Sequence, residues 1–130
     1  MVKVITFGTF DLLHIGHIRI LERASEYGDT LIVGISSDTL NFKKKGKYPI
    51  YTLEERMKII SSLKYVTDVF VEESLELKRE YINKYGADVV IMGDDWSGKF
   101  DYLSDICKVV YLPRTPSIST TEIVEKIKSG

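Results

Sequence analysis

Residues 4–17 read VITFGTFDLLHIGH, and this stretch decides the fold. The apolar run over 4–7 is typical of a buried strand, and the glycine that follows it marks a tight turn. His14 and His17 then straddle the point where a helix should begin, with Gly16 between them. Backbone N–H groups at a helix start are unpaired and carry partial positive charge. The stretch therefore predicts a strand, a turn and a helix that together bind an anion such as a phosphate, with two imidazoles as further donors.

A single histidine near a helix start is more often a surface or core residue than a ligand-binding one. Here the pair is combined with Gly8, Asp11 and Gly16 at the end of one strand. Glycine leaves room for a ligand to approach the backbone. The combination favours a functional interpretation of the two histidines.

Short apolar runs alternate with helical patterns along the whole chain. This alternation is the βαβ pattern of a doubly wound sheet, in which right-handed crossovers place helices on both faces. Ligands bind such sheets beyond the carboxyl ends of the strands. The sequence thus predicts an α/β fold, a single Rossmann-like domain over 1–130 with five parallel strands. The predicted strands are 4–7, 31–35, 69–71, 89–92 and 109–112, and the helical stripes pass through Ile18, Met57, Tyr81 and Ile123.

The composition is that of one small domain with balanced charge. The chain has 130 residues with 18 basic and 19 acidic side chains, so no overall field favours nucleic acid or an anionic membrane surface. The lone Cys107 excludes an internal disulfide, and no Cys/His spacing indicates zinc. No leader segment or apolar run of membrane-spanning length is apparent. We expect no protein-borne metal centre, no nucleic-acid or membrane partner, and a cytoplasmic location.

Residues 37–51 are the longest stretch without a clear pattern, and we expect a flexible loop there. Its centre, KKKGK at 43–47, holds four lysines in five residues. A lysine run is usually a solvated surface feature. Because this one follows the second predicted strand, it would overhang the same sheet edge as the histidines, where it could fold over a polyphosphate.

A second anion site is predicted after the fifth strand, where residues 114–121 read RTPSISTT. Ser119 followed by Glu122 fits a helix capping box, which explains part of the segment without any function. Capping does not explain Arg114, whose planar guanidinium suits phosphate oxygens.

Residues 92–100 read MGDDWSGKF and nearly match a P-loop, but we reject the match. Phe100 stands where that loop needs a magnesium-binding hydroxyl, and Asp94 and Asp95 would repel phosphates. The aspartates could instead begin a helical turn, bind magnesium or orient a polar substrate. Trp96 could stack on a base.

Arg56 and Lys78 carry little local information. Arg56 belongs to a helix opened by a Thr52–Glu55 capping box, and nothing local distinguishes Lys78 from neighbouring basic residues. A solvated helix charge is the simplest interpretation of each.

The motifs GTFD at 8–11 and HIGH at 14–17 resemble those of the nucleotidyltransferases that carry an HxGH motif. With RTPSISTT they resemble the cytidylyltransferase family, and the likeness includes MGDDW at 92–96 and YLPRT at 111–115, so that it runs essentially the whole length. Similarity to family members that act on glycerol 3-phosphate implies transfer of CMP from CTP to that acceptor, with Mg²⁺ present. The products would be pyrophosphate and CDP-glycerol, which suits the synthesis of teichoic-acid-like or capsular polymers.

The resemblance also implies a homodimer and roles for residues already described. Lys64 stands where the family commonly places an arginine at its dimer contact, and Ile15 where the motif is often aromatic. The implied catalytic residues are His14, His17 and Arg114. The implied acceptor-binding residues are Lys44, Lys45, Lys78, Asp11 and Trp96, with the assignment among Lys44, Lys45 and Lys47 left open. The implied nucleotide-binding residues are Gly8, Thr9, Phe10, Asp11, His14, Gly16, His17, Lys47, Arg56, Asp94, Arg114, Thr115, Ser117, Ile118, Ser119, Thr120 and Thr121.

The expected mechanism is direct in-line displacement, because no Cys or Ser is paired with an activating base and the acceptor is itself an anion. Fixed cations and hydrogen-bond donors would then supply most of the rate. Three alternatives stay open. The chain could be an adenylyltransferase of the same superfamily, similar to FAD synthetases, a cytidylyltransferase for another small phosphorylated alcohol, or a nucleotide-binding sensor without catalysis.

Overall fold

The computed structural model describes residues 1–113, apart from the side chain of Lys44. These residues form a parallel sheet with helices between its strands. The strands are β1 (Lys3–Gly8), β2 (Thr30–Ser36), β3 (Asp68–Glu72), β4 (Val89–Gly93) and β5 (Lys108–Leu112). The helices are α1 (Ile15–Ser25), α2 (Asp38–Lys45), α3 (Leu53–Ser61) and α4 (Lys78–Tyr85), with short 3₁₀ turns at Leu75–Leu77, Asp94–Trp96 and Asp101–Leu103.

The predicted five-stranded parallel sheet is confirmed. Its strand order is β3-β2-β1-β4-β5, and every neighbouring pair is parallel. The chain leaves β1 on the side of β2 and later returns on the other side with β4, so the strand order reverses at β1. Such a switch point opens a crevice beyond the carboxyl ends of the strands, which here are Gly8 of β1 and Gly93 of β4.

Helices cover both faces of the sheet, as the sequence predicted. Successive residues of a strand point to opposite faces, so Val4 and Ile5 of β1 enter different cores. Val4 packs with Leu21 of α1 and Ile60 of α3, whereas Ile5 packs with Ile82 of α4. Each of these side chains is at most 1% exposed, and burying one of this size contributes about 2 kcal/mol.

The prediction of a flexible loop over 37–51 is wrong for its first half, which contains α2. Ser37 caps this helix by accepting a hydrogen bond from the N–H of Leu40, and Gly46 ends it in the left-handed conformation with φ of 72°. Among the described side chains of the helix, only Leu40 and Asn41 are buried, so its apolar stripe is too narrow to stand out in the sequence. The serine cap and the terminal glycine were the signals that could have revealed it.

The rejection of a P-loop over 92–100 agrees with the structure. A P-loop must lead into an α-helix, whereas the segment after β4 makes two 3₁₀ turns before β5. The last predicted helix, through Ile123, lies outside the described residues. None of the helices within residues 1–113 is long and apolar enough to cross a membrane.

Candidate active site

The turn between β1 and α1 has an unusual backbone. Phe10 and Leu12 adopt positive φ angles of 55° and 48°, a region that costs a residue with a side chain about 1–2 kcal/mol. Gly8 is required at the start of the turn, because a Cβ atom there would lie 2.8 Å from the Phe10 ring. Strain of this kind persists only where surrounding contacts impose it, and it is concentrated at functional sites.

Arg56 of α3 imposes much of this geometry. Its side chain is fully buried and donates to the carbonyl oxygens of Thr9 at 2.9 Å, Ser36 at 2.8 Å and Tyr51 at 3.2 Å. It also forms a 2.5 Å ion pair with Asp38. Four of the five guanidinium N–H groups therefore donate within the protein. Arg56 is not the solvated helix charge that its local pattern suggested, and its contact with CTP phosphates stays a prediction.

Asp11 connects the same turn to the segment before α3. Its two carboxylate oxygens accept hydrogen bonds from the backbone N–H groups of Ile50, at 2.8 Å, and Tyr51, at 2.9 Å. Thr9 makes a parallel connection to α2, since its hydroxyl donates to Asn41 at 2.7 Å. Asn41 is 1% exposed, and its amide also donates to the carbonyl oxygens of Ser36 and Ser37. Sequence reasoning missed it because its contact with the turn, through Thr9, joins residues that are distant in the chain.

The two histidines cap the start of α1 reciprocally. His14 is the N-cap residue, and its Nδ1 accepts from the Gly16 N–H at 3.0 Å. His17 lies one turn further, and its Nδ1 accepts from the His14 N–H at 3.2 Å. Their rings stack with centroids 4.0 Å apart. Because both Nδ1 atoms act as acceptors, the proton of each neutral ring is assigned to Nε2.

This capping changes the expected source of anion-binding donors. The sequence predicted unpaired backbone N–H groups at the helix start. In the structure the Gly16 N–H donates to His14, and the N–H groups of His17 and Ile18 donate to the His14 carbonyl. The side-chain donors suited to a phosphate at this helix start are the Nε2–H groups of the two imidazoles.

His17 is uncharged at neutral pH. Its pKa is lowered from 6.5 to about 4, mainly by burial; repulsion from the protonated form of His14 and from Lys45 contributes, whereas the Asp11 carboxylate opposes these effects. The Phe10 ring lies edge-on to the imidazole with centroids 5.7 Å apart, which contributes to the dry surroundings. Phe10 is itself buried in the core beneath the turn. His17 therefore offers a neutral N–H donor rather than a cation.

A cleft of about 760 Å³ opens beside this turn at the carboxyl ends of β1, β2, β3 and β4. Gly8 and Thr9 border it from β1, and Lys43 and Lys45 border it from α2. Trp96 lines the far side and packs against Phe100 with centroids 5.4 Å apart. The cleft is thus bounded by a polar turn, a cationic helix and aromatic rings.

Lys78 and Glu72 also line the cleft. Both side chains are 1% exposed, and they form an ion pair at 2.5 Å. Lys78, predicted to bind the acceptor, is therefore not the solvated charge that its local pattern suggested. Sequence reasoning missed Glu72, although a carboxylate that ends a largely apolar strand is the signal that could have found it.

Several predicted residues are exposed, and others lie beyond the described part of the chain. Asp94 is exposed at the start of the 3₁₀ turn after β4, and Lys47 is exposed just after α2. The backbone of Lys44 belongs to α2, and nothing is described of its side chain. The residues outside the described part are Arg114, Thr115, Ser117, Ile118, Ser119, Thr120 and Thr121. Within residues 1–113 no group of three or more His, Cys, Asp or Glu side chains could hold a metal ion.

Replacing Arg56 with lysine is predicted to loosen this edge of the sheet. The lysine ammonium has three donors on one nitrogen, whereas the planar guanidinium has five on three nitrogens. Lysine therefore leaves buried carbonyl oxygens or the Asp38 carboxylate unpaired. We expect the free energy of unfolding, measured by urea denaturation, to fall by about 2–4 kcal/mol. The matched control is Arg79→Lys, whose exposed pair with Asp105 lies away from the cleft and should leave the urea midpoint nearly unchanged. Equal midpoints for both variants would contradict the assignment of Arg56.

The pKa of His17 predicts a loss of stability in weak acid. The unfolded state takes up a proton below pH 6.5, whereas folded His17 does so only near pH 4. The folded state therefore loses up to about 3 kcal/mol as the pH falls from 6.5 to 4 and keeps this contribution above pH 6.5. Thermal unfolding of wild type and His17→Gln at pH 7 and pH 5 measures this contribution of His17 to stability. The drop in Tm should be smaller in the variant, and an equal drop would show that His17 is not the group responsible.

Comparison with known proteins places the chain among enzymes of nucleotide transfer. It is 53% identical over 127 residues to a glycerol-3-phosphate cytidylyltransferase of Bacillus subtilis, covering 98% of both chains. It is 46% identical to the enzyme of that name in Staphylococcus aureus, over 98% of this chain and 96% of the relative. An FAD synthase of Pyrococcus abyssi is 32% identical, over 97% of this chain and 92% of the synthase.

A solved structure has a similar fold. The lipopolysaccharide core biosynthesis protein of Thermoplasma volcanium superposes with a TM-score of 0.78 at 27% identity, covering 88% of this chain and 98% of that one. The family model described as cytidylyltransferase-like matches residues 5–126. This match extends from β1, through the histidine turn and the cleft, past the last described strand. The chain therefore belongs to the cytidylyltransferase-like family.

Proposed function

We propose that this protein is a nucleotidyltransferase that transfers CMP from CTP to the phosphate of glycerol 3-phosphate, forming CDP-glycerol and pyrophosphate. The observation that carries the proposal is the end-to-end identity of 53% and 46% to enzymes named for this reaction. The paired histidines at the strand switch point, and the cleft beside the turn between β1 and α1 with its lysines from α2, supply the chemistry that it needs. CDP-glycerol is an activated glycerol phosphate, which suits a polymerising transferase such as those that build teichoic-acid-like chains.

The transfer is a direct displacement at the α-phosphorus of CTP. An oxygen of the acceptor phosphate forms a bond to that phosphorus, and the bond from the phosphorus to the bridging oxygen breaks. The electron pair of the broken bond leaves with pyrophosphate. Catalysis then consists of bringing two anions together in line and stabilising the negative charge that develops on the phosphoryl oxygens.

His14 and His17 act as donors to the nucleotide phosphates through Nε2–H. Their Nδ1 atoms are held by backbone N–H groups, so each ring is oriented before the substrate binds. Donors that are already oriented stabilise a transition state without reorganising at the moment of reaction. Arg114 and residues 115–121 complete the nucleotide site in this proposal.

The lysines of α2 and the segment after it supply fixed positive charge. Lys43 and Lys45 line the cleft, and the charge of Lys45 helps to lower the pKa of His17. We propose that Lys45 and Lys47 contact the triphosphate or the acceptor, with Lys44 as the alternative to either. Because Lys43 and Lys45 lie in the last turn of a helix closed by Gly46, their backbone positions are more defined than those on a loop would be.

We propose that Mg²⁺ enters with CTP. This ion is usually held by substrate phosphates and one or two carboxylates rather than by a cage of protein ligands. We propose Asp94, which is exposed directly after β4, as a carboxylate that would hold the ion. The ion would neutralise charge on the triphosphate when bound.

We further propose a homodimer and a cytoplasmic location. The dimer rests on resemblance to the family, and Lys64, whose Nζ lies 5.2 Å from the centre of the Tyr65 ring, stands at the expected contact. The location rests on the unpaired thiol of Cys107, which suits a reducing compartment.

A panel of nucleotides and acceptors tests the function. With glycerol 3-phosphate as acceptor, we expect CTP to release pyrophosphate at least about 100-fold faster than ATP, since a base-reading site discriminates by 2–3 kcal/mol or more. Preference for ATP would favour the FAD-synthase-like alternative, which the Pyrococcus relative brings into the comparison. Preference for another phosphorylated alcohol would change the acceptor, and tight CTP binding without turnover on any acceptor would favour the sensor.

Removal of one histidine tests the mechanism. His17→Ala should lower kcat at saturating CTP by on the order of 10²-fold or more, as loss of a positioned oxyanion donor does elsewhere. The control is Arg19→Ala, an exposed position on the same helix, for which kcat should be unchanged. Since His17 also caps α1, Tm is measured for both variants. A folded His17→Ala protein with near-normal turnover would rule out the assigned role.

A further inference from the structure

The buried ion pair at the floor of the cleft has no explanation in packing alone. Glu72 is the last residue of β3 and Lys78 is the first of α4, and each is 1% exposed. Glu72 Oε2 lies 2.5 Å from Lys78 Nζ, and its Oε1 accepts from the Ser36 hydroxyl at 3.2 Å. Replacing a buried ion pair by apolar residues of similar volume is often neutral or stabilising, so such a pair is weak evidence for a stabilising role.

Burial disfavours the charge of Lys78. Its Nζ lies 4.5 Å from the centre of the Phe7 ring and 5.1 Å from that of Phe100, and these rings attract the ammonium only weakly and accept no conventional hydrogen bond from it. Burial lowers the pKa of Lys78, and the charge and hydrogen bond of Glu72 oppose that effect.

Other charged groups line the same cleft. They are Lys43 and Lys45 from α2, Glu76 from the 3₁₀ turn before α4, and Asp95 from the turn after β4. Among the described residues, Glu72 supplies the contact that keeps a proton on Lys78.

We propose that Glu72 is a positioning residue for the acceptor: it keeps Lys78 charged and oriented at the floor of the cleft, where the ammonium receives the acceptor's phosphate. An ammonium has three donors, and the pair with Glu72 uses one. The hydrogen bond from Ser36 holds the other carboxylate oxygen, so the carboxylate is fixed at both ends. This inference rests on the proposed function for the identity of the acceptor.

If Glu72 keeps Lys78 charged, acceptor binding depends on pH in a specific way once Glu72 is replaced. A phosphate monoester loses its second proton near pH 6, so the acceptor keeps a constant charge between pH 7.5 and 9.5. Within that range, a change in acceptor KM reports the charge of the protein groups that bind it. Without the charge and hydrogen bond of Glu72, burial would lower the pKa of Lys78 further, and acceptor binding would weaken as the pH rises.

The test measures KM for glycerol 3-phosphate and for CTP from pH 7.5 to 9.5. In Glu72→Gln we expect the acceptor KM to rise at least about tenfold across the range, with the KM for CTP changing no more than in wild type. In wild type and in Glu73→Gln, a control at the exposed neighbouring position, the acceptor KM should change less than about threefold. The rise in acceptor KM for Glu72→Asp should lie between those of wild type and Glu72→Gln. In the double variant Glu72→Gln/Lys78→Arg the rise should disappear, because a guanidinium keeps its proton at these pH values.

A second measurement does not depend on turnover. In protein labelled with ¹³C at lysine Cε, the Lys78 signal is assigned by its loss in Lys78→Arg and titrated by NMR. We expect its pKa to be at least one unit lower in Glu72→Gln than in wild type, and Glu72→Asp serves if Glu72→Gln does not fold. An unchanged titration, or an acceptor KM with the wild-type pH dependence, would overturn the role of Glu72. Failure of wild type to use glycerol 3-phosphate would instead overturn the proposed function and leave the NMR result to decide on Glu72.

Discussion

The functional edge of the sheet depends on one buried charge, the guanidinium of Arg56. Removing a charged group from water costs several kcal/mol, and that cost is recovered only when its donors are paired. Arg56 meets this requirement with carbonyl oxygens from the ends of β1 and β2 and from the segment before α3, together with Asp38. These separate stretches of chain are therefore placed relative to one another, and the strained turn between β1 and α1 is kept in its conformation.

The two histidines combine a structural and a chemical task. Each Nδ1 accepts a backbone N–H and caps α1, which leaves the proton of the neutral ring on Nε2. A ring used in this way is oriented without help from the substrate. The dry surroundings that keep His17 uncharged also strengthen the hydrogen bonds that it donates. The cap and the donor thus follow from the same contacts, and a substitution at either position disturbs both.

Local patterns allowed much of the fold to be predicted. Strands buried on both faces appear as continuous apolar runs, and all five were located in this way. The start of α1 at the histidines was also predicted, because glycine and polar residues interrupt the apolar pattern there. Helix α2 was missed because Leu40 and Asn41 are the only buried side chains among those described in it, and its lysines are typical of a loop. The carbonyl partners of Arg56 were missed because every residue carries such an oxygen, and Asp38 was missed because it lies 18 residues away in the chain.

The sequence by itself determined the class of fold, the histidine turn and the resemblance to a family, because each depends on residues that are neighbours in the chain. Only the tertiary structure decided which charges are buried and what they touch. Arg56 and Lys78 look alike as charges on helices, yet one joins the ends of β1 and β2 and the other pairs with Glu72 at the floor of the cleft. The physical reason is that burial and pairing are set by residues brought together from different strands, and side-chain charges change their behaviour when water is removed.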